Sequence, residues 1–277
     1  MGAITGYYRA MSCDDARAKA KSLGSAAAYV GGGVELVLRR NPEVATLIDL
    51  SQCGLDRIVK TTEALSLGSQ VTLAAISRDA DVKAYAGGSL AYLAGHIAHN
   101  NLRNMITIGG AIGRNQPWND VVPHLIALGA YVEIQDDQER VMPLSDFIGH
   151  REPGTLILGV RLPLVNADLH GFLWRFTRTQ QDISLLHCSA LIGVQGGTVS
   201  TATVVYAGRP GGTAVYPKVA AELVGQPVRA ETFLRAGDTA VRSVEVGDDL
   251  RASGNYRREL VRAAMTRLGE EMTGVAQ

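Results

Sequence analysis

"TIGGAIGRNQPWND", residues 107–120, decides how this chain is read. Two adjacent glycines, a third glycine, an arginine, a proline and a tryptophan stand between apolar runs, and an aspartate closes the stretch just before "VVPHLIALGA". Beyond it, Val121, Leu125 and Leu128 fall at i, i+4 and i+7, one face of a helix that Gly129 ends. The stretch itself reads as a glycine loop after the apolar Ile106 and Ile108, where missing side chains let backbone approach a ligand closely. Asp120 reads as the helix N-cap, a role Asn119 fills equally well.

A second glycine run, Gly31-Gly32-Gly33, lies upstream between "AAAYV" (26–30), read as a strand, and "VELVLRR" (34–40), read as a short helix stopped by Asn41-Pro42. Unpaired N–H groups at such a helix start favour an anion, for example a pyrophosphate; the plain alternative is a flexible turn. The spacing is neither the Gly-x-Gly-x-x-Gly of dinucleotide folds nor a P-loop, since no Gly-Lys-Ser/Thr follows. Whether the two runs face one ligand from two sides is left open by sequence spacing.

Working outward, "DDARAKAKSLG" (14–24) reads as a helix stopped by Gly24, and "VATLIDLS" (44–51) as a buried strand. The first fifty residues therefore have compact α/β organisation. "RIVKTTEALSLGSQVTLAAI" (57–76) reads as two strands around a polar turn, and "DVKAYAGGSLAYLAGHIAHN" (81–100) as helix broken at Gly87-Gly88. "YVEIQ" (131–135) and "TLILGVRLP" (155–163) read as strands. The chain turns polar over 164–170, where a domain boundary is expected. "GFLWRFTRT" (171–179), "SALIGVQGG" (189–197) and "STATVVYAG" (200–208) then read as three antiparallel strands, and Pro217 to Leu223 as a short helix. In the tail, Leu260, Val261, Ala264, Met265 and Leu268 share one helical face.

The 277 residues are 46% hydrophobic and carry 27 basic and 27 acidic side chains, a balance that argues against a nucleic-acid binder. No apolar run reaches the ~18 residues of a membrane span, and the start shows no secretory signal. Cys13, Cys53 and Cys188 form no CxxC and no disulfide framework, so a reducing, cytoplasmic setting is expected. His96 and His99 lie at i, i+3 without a third metal ligand in sight. Asp136-Asp137 and Asp248-Asp249 read as solvated turns, and no nucleophile motif occurs. Arg257 and Arg258 read as surface helix charges or partner contacts; Arg103 and Arg114 approach phosphate or solvate the loop. No catalytic acid or base and no metal ligand is nominated.

Taken in order, these pieces resemble the FAD-binding subunit of the molybdenum hydroxylases, the family of xanthine dehydrogenase and aerobic carbon monoxide dehydrogenase. The family's Ala-Gly-Gly-Thr-Asp-Leu stands here as Gly31-Gly32-Gly33-Val34-Glu35-Leu36. Its Arg-Asn-x-x-Thr-Ile-Gly-Gly-Asn-Ile stands as Arg103-Asn104-Met105-Ile106-Thr107-Ile108-Gly109-Gly110-Ala111-Ile112, followed by Pro117 and Asp120. Ile-Gly-Ala-x-Thr-Thr is loosely matched by Leu67-Gly68-Ser69-Gln70-Val71-Thr72, and Arg-x-Ser-x-x-Tyr-Arg-Arg by Arg251, Ser253, Tyr256, Arg257 and Arg258. Departures are Ala111 for the usual Asn, Val34 for Thr or Gln, larger residues at Arg114 and Trp118, and Leu173 and Arg175 where Tyr and Lys are frequent. The stretch "FIGHREPGTL" (147–156) is shorter than usual in the family.

The resemblance implies an α+β fold. A two-subdomain FAD-binding domain of the vanillyl-alcohol-oxidase-like kind (1–165, subdomains about 1–55 and 56–165) precedes a C-terminal domain of antiparallel strands and helices (166–277). It implies FAD contact by Val30, Gly31, Gly32, Gly33, Val34, Glu35, Leu36, Thr72, Thr107, Ile108, Gly109, Gly110, Ala111, Arg114, Asn115, Asp120, Ile157 and Arg175, with both glycine loops meeting the pyrophosphate. Three cysteines cannot supply one four-thiolate cluster, so [2Fe-2S] clusters and the molybdenum cofactor are expected on partner chains. The implied partners are an iron–sulfur small subunit and a molybdopterin large subunit, in a dimer of heterotrimers. The implied role is electron relay through FAD to an acceptor such as NAD, a quinone, oxygen or a carrier protein. Two alternatives stand beside it: a FAD-less structural or assembly subunit on the same fold, and a free-standing FAD-dependent reductase.

Overall fold

The computed structural model describes residues 4–38, 41–149, 152, 154–164, 168–208 and 210–274. Arg39, Arg40, part of the 147–156 stretch and the expected boundary at 165–166 lie at or among positions outside these residues. The chain divides into two compact units. One comprises 1–82, 99–115 and 129–164; the other comprises 83–98, 116–128 and 165–277. Two segments upstream of 165 thus pack in the second unit.

The first unit holds two sheets. Strands β1 (Gly6–Arg9), β2 (Ala27–Val30) and β3 (Thr46–Asp49) form a parallel sheet in the order β1-β3-β2. Helix α1 (Cys13–Leu23) begins at Ser12, whose side chain accepts from the Asp15 amide, and ends at Gly24 with φ 57. Ala10, Ala16, Ile48, Leu50 and Leu156 make the core against this sheet. Helix α2 (Val34–Leu38) follows β2. The second sheet runs β4-β5-β8-β6-β7, antiparallel throughout, from β4 (Ile58–Lys60), β5 (Ala64–Gly68), β6 (Tyr131–Gln135), β7 (Glu139–Pro143) and β8 (Leu156–Pro163). Helices α3 (Leu73–Arg78), α4 (Ala80–Ala84), α6 (Asn100–Arg103), α7 (Ile108–Arg114) and α9 (Leu144–Gly149) are its short connections.

Two sequence readings change here. "VTLAAI" is not strand continuing from β5: Thr72 caps α3 by accepting from the Ala75 amide at 3.2 Å. The stretch at 108–114 is helix rather than open loop, because Thr107 caps it by accepting from the Gly110 amide at 3.1 Å.

In the second unit an antiparallel sheet runs β12-β11-β10-β9, from β9 (Leu169–Phe176), β10 (Leu186–Gln195), β11 (Thr198–Gly208) and β12 (Gly212–Val215). Helices α5 (Ser89–His96), α8 (Val121–Ala127), α10 (Pro217–Ala221), α11 (Ala230–Ser243) and α12 (Gly254–Met272) accompany it. The core joins Ile192, Val204 and Tyr206 of the sheet to Phe233 and Ala236 of α11 and to Leu260, Val261, Met265 and Leu268 of α12. The sequence reading passes over α11, whose buried stripe is Thr232, Phe233, Ala236, Gly237 and Ala240. Glu231, Arg235, Asp238 and Arg242 lie exposed off that stripe, so the helical period was present in the sequence.

Arg257 is buried in α12, 1% exposed, rather than a surface charge. Its guanidinium pairs with Asp249 at 2.8 Å and donates to the carbonyls of Gly247, Ala252 and Leu185. Ser253 caps the same helix through the Tyr256 amide, and Arg251 pairs with Asp182 at 2.7 Å. The Arg-x-Ser-x-x-Tyr-Arg motif is thus a staple of the fold. Burial pushes the Asp249 carboxyl up, but hydrogen bonds from Arg257 and from the amides of Arg251 and Ala252 outweigh it and hold the group at about 2.

Arg257→Ala is expected to destabilise the chain by about 3–5 kcal/mol in chemical denaturation, because it strands a paired carboxylate and three carbonyls. The depressed Asp249 value predicts a contribution that is present above the ordinary carboxylate range and lost as pH falls toward about 2. Asp249→Asn should flatten the stability–pH curve in that acid window.

Candidate cofactor site

In the first unit, Val30 ends β2 in register with Asp49, and the chain leaves the carboxyl edge of the parallel sheet there. Such edges are where open α/β sheets place ligands. Gly31, Gly32 and Gly33 carry the chain into α2, with Gly33 at φ 72. Among the described residues, no acceptor is found for the amides of Gly31, Gly32, Gly33 and Val34. Four consecutive free N–H groups around a left-handed glycine suit an anion. Val30 through Leu36 are all half-buried.

The second glycine stretch meets the first. A β-carbon built on Gly31 lies 2.6 Å from Thr107 Oγ1, and one on Gly32 lies 1.4 Å from the Met105 carbonyl oxygen. A β-carbon on Gly109 lies 2.6 Å from Ser69 Cβ. Bare backbone at three positions is therefore what lets residues 31–32, 69 and 105–109 cross. The segment 68–73 laces this crossing to the sheet. Ser69 donates to Leu158 and accepts from Gly109; Val71 accepts from Ile108; Leu73 donates to Ile106. Thr72 and Thr107 form an isolated bridge.

The start of α7 consequently has no spare donors. The amides of Ile108 and Gly109 bond the carbonyls of Val71 and Ser69; Gly110 bonds Thr107 Oγ1; Ala111 bonds the Thr107 carbonyl. Gly109 serves close packing here, while the free donors lie in the first run. Ile157 of β8 comes against α7, its Cδ1 3.7 Å from a β-carbon built on Gly113. Arg114 is exposed at the end of α7, and Asn115 closes the helix at φ 34. Among the described residues, buried Ser69 Oγ has no hydrogen-bond partner, at the position where the sequence motif favours Ala.

Asp120 and Arg175 belong to the second unit and are brought together there. Asn119 performs the capping, its Oδ1 accepting from the amides of Val121 and Val122 at 2.9 and 3.2 Å. Asp120 turns inward, 5% exposed. It accepts from Arg175 Nε at 2.9 Å and Ser184 Oγ at 2.6 Å, and contacts His187 Nδ1 at 3.1 Å. Burial pushes its carboxyl up, while His187, Arg175 and Ser184 outweigh burial and hold it below the usual range. Arg175 also donates to the carbonyls of His96 at 2.9 Å and Asp182 at 3.1 Å, so each of its three nitrogens has an internal partner. Sequence reading missed His124, His187 and Ser189, which continue this network. The available signal was a histidine inside the otherwise apolar "VVPHLIA".

His96 stacks on Tyr92, ring centroids 4.0 Å apart, with its Nδ1 2.7 Å from the Tyr92 carbonyl. Among the described residues no group of three His, Cys, Asp or Glu side chains is disposed to hold a metal ion. Among them, too, no helix is long and apolar enough to cross a membrane.

Comparison with known proteins bears on the same residues. Residues 3–165 match the FAD binding domain in molybdopterin dehydrogenase, and residues 174–272 the CO dehydrogenase flavoprotein C-terminal domain. The first match spans more than half of the chain, and the chain belongs to that family: it is a FAD-binding oxidoreductase subunit of the molybdopterin dehydrogenase type. A relative is the 6-hydroxypseudooxynicotine dehydrogenase complex subunit alpha of Paenarthrobacter nicotinovorans, 26% identical over 88% of this chain and 86% of that one. Another is the carbon monoxide dehydrogenase medium chain of Hydrogenophaga pseudoflava, 25% identical over 91% of each. The fold matches the solved Hydrogenophaga pseudoflava carbon monoxide dehydrogenase with a TM-score of 0.91 at 24% identity over 96% of both chains. It also matches quinoline 2-oxidoreductase of Pseudomonas putida 86, with a TM-score of 0.89 at 23% identity over 99% of both.

The crossing predicts unequal responses along the motifs. Gly32→Ala, which meets backbone, is expected to destabilise by about 3 kcal/mol or more. Gly110→Ala meets only Thr107 Oγ1 at 3.0 Å and should cost under about 1 kcal/mol. Ser69→Ala removes an unpaired buried hydroxyl and should raise stability by up to about 1 kcal/mol. Urea titrations of the three variants check the order.

Proposed function

We propose that the chain is the flavin-carrying medium subunit of a molybdenum hydroxylase complex, receiving electrons from iron–sulfur clusters on a partner chain and passing them through FAD to an external acceptor. The observation that carries the reading is the run of free amides at Gly31–Val34 beside a second glycine stretch that packs against it. The residues fit the group. Gly31, Gly32, Gly33 and Val34 would receive the pyrophosphate on backbone N–H groups, and at Gly31 and Gly32 a side chain would block the crossing behind them. Glu35, Leu36 and Val30 border the same turn; Met105 and Thr107 back it, and Ile108, Gly109, Gly110 and Ala111 continue from Thr107 into α7, held by the Thr72–Thr107 bridge and the 69–73 segment. Ile157 and Arg114 flank that backing, the first apolar and the second a cation in solvent.

FAD supplies the redox chemistry when bound; the chain binds it, orients it and shapes its electrostatic surroundings. Asp120 and Arg175 act through position: each is occupied by internal partners, and together they fix the start of α8. Substrate oxidation belongs to a molybdopterin partner, and the three cysteines of this chain leave the clusters to a second partner. The relatives named as complex subunits support that division of labour.

The test is FAD titration of the purified chain by visible absorbance and equilibrium dialysis. Saturable binding of one flavin per chain is expected. Val34→Pro removes one amide donor at the first helical position, where proline is tolerated. It should weaken FAD binding by about tenfold with the melting temperature of the flavin-free chain unchanged. A folded chain that refuses FAD would favour the structural-subunit reading instead.

A further inference from the structure

Five side chains of the second unit stand in single file. His187 Nδ1 lies 3.1 Å from Asp120 Oδ1, and His187 Nε2 lies 2.7 Å from Ser189 Oγ. Ser189 Oγ lies 2.9 Å from His124 Nδ1, and His124 Nε2 lies 3.1 Å from Ser89 Oγ. Four of the five are between 0% and 5% exposed, and Ser89, at 8%, is the most accessible. The flavin reading gives no role to His187, Ser189, His124 or Ser89.

We propose that Asp120, His187, Ser189, His124 and Ser89 form a proton relay with two polarities, in which the charge on His187 sets the tautomer of His124 and the direction of the Ser89 hydroxyl. The count of donors and acceptors along the file fixes the two polarities. Asp120 is a carboxylate and only accepts, so His187 Nδ1 carries hydrogen in either state. His124 is neutral, burial pushing it down to about 3, so one of its nitrogens donates and the other accepts. Ser189 has one hydrogen, and among the described residues its hydroxyl has no partner beyond the two imidazoles.

When His187 is neutral, its Nε2 accepts from Ser189, Ser189 accepts from His124 Nδ1–H, and His124 Nε2 accepts from Ser89. When His187 is charged, every one of those bonds reverses: His187 donates to Ser189, Ser189 to His124 Nδ1, and His124 Nε2–H to Ser89. The change balances as a proton transfer. One proton enters at Ser89, the Ser89 hydrogen moves to His124 Nε2, the His124 Nδ1 hydrogen moves to Ser189, and the Ser189 hydrogen moves to His187 Nε2. No electrons change hands, and the positive charge ends on His187 beside Asp120. Among the described residues, the charged and titratable groups facing His187 are Asp120 just before α8, His124 on α8 and Arg175 on β9, with Asp182 bound to Arg175 through its carbonyl.

The relay has a mechanical partner. Ser89 opens α5, and the carbonyl of His96, its last residue, accepts from Arg175, the counter-ion of Asp120. Helix α5 is thus held at both ends by one network. Gly88 and Ala86 just before it have φ of 77 and 47. The polarity of the relay is presented at the end of α5 that follows this left-handed turn.

The experiment is nitrogen-15 NMR of the histidine rings in the full chain, followed over the whole pH range in which the chain stays folded. Expected is an Nδ1–H signature for His124 while His187 is neutral, giving way to Nε2–H at the midpoint where His187 charges, with His124 itself remaining neutral. Ser189→Ala, checked for folding by thermal melting, should leave His124 with one tautomer on both sides of that midpoint. The relay is overturned if wild-type His124 keeps one tautomer while His187 changes charge, if His124 becomes an imidazolium, or if His187 holds a single charge throughout.

Discussion

A β-carbon at Gly32 would fall 1.4 Å from the carbonyl oxygen of Met105. That exclusion organises the candidate site, because the first glycine run can turn out of the parallel sheet only where the chain before Thr107 lies directly behind it. Close packing of this sort is paid for by glycine's conformational freedom in the unfolded chain. It is offset by the backbone bonds that the 68–73 segment makes to residues 106, 108 and 109. The two runs divide the work: the second uses its amides internally and forms a wall, which leaves the first with its amides free.

The second unit rests on a different constraint. Asp120 is a buried carboxylate with charged and neutral donors from β9, β10 and the connection between them. Burying it alone would be prohibitive, so its partners are fixed by the need to satisfy it. Those partners explain why segments 83–98 and 116–128 pack with the C-terminal sheet. Ser89 and His96 come from the first segment, Asp120 and His124 from the second, and Arg175, His187 and Ser189 from the sheet. Arg257 repeats the logic at the far end of the chain, where one buried guanidinium gathers three carbonyls and Asp249.

Much of the secondary structure was legible. Gly24, Pro217 and the apolar face of "NYRRELVRAAMTRL" signal their helices because caps and periodicity act locally. Helix α11 was legible too, since charged residues alternate with its buried stripe of Thr232, Phe233, Ala236, Gly237 and Ala240 at the helical period, yet that stripe of mostly small residues is easily passed over. The helix at 108–114 was hidden by its three glycines, whose low propensity is overcome by a threonine cap and two tertiary backbone bonds. Asp120 shows the limit most plainly: its neighbour Asn119 takes the capping role, and a carboxylate that local rules assign to a helix end is claimed by residues more than fifty positions away.

By itself the sequence determined the two glycine runs, the ordered motifs that place the chain in its family, and the absence of enough cysteines for a cluster. These follow from composition and spacing, which no packing alters. Only the tertiary structure decided that the first run keeps its amides free while the second spends its own within the chain, because a backbone donor's partner is set by which segment lies alongside it. It also decided that Asp120 faces inward, since the direction of a buried charge is set by which donors surround it, and those donors are distant in the chain.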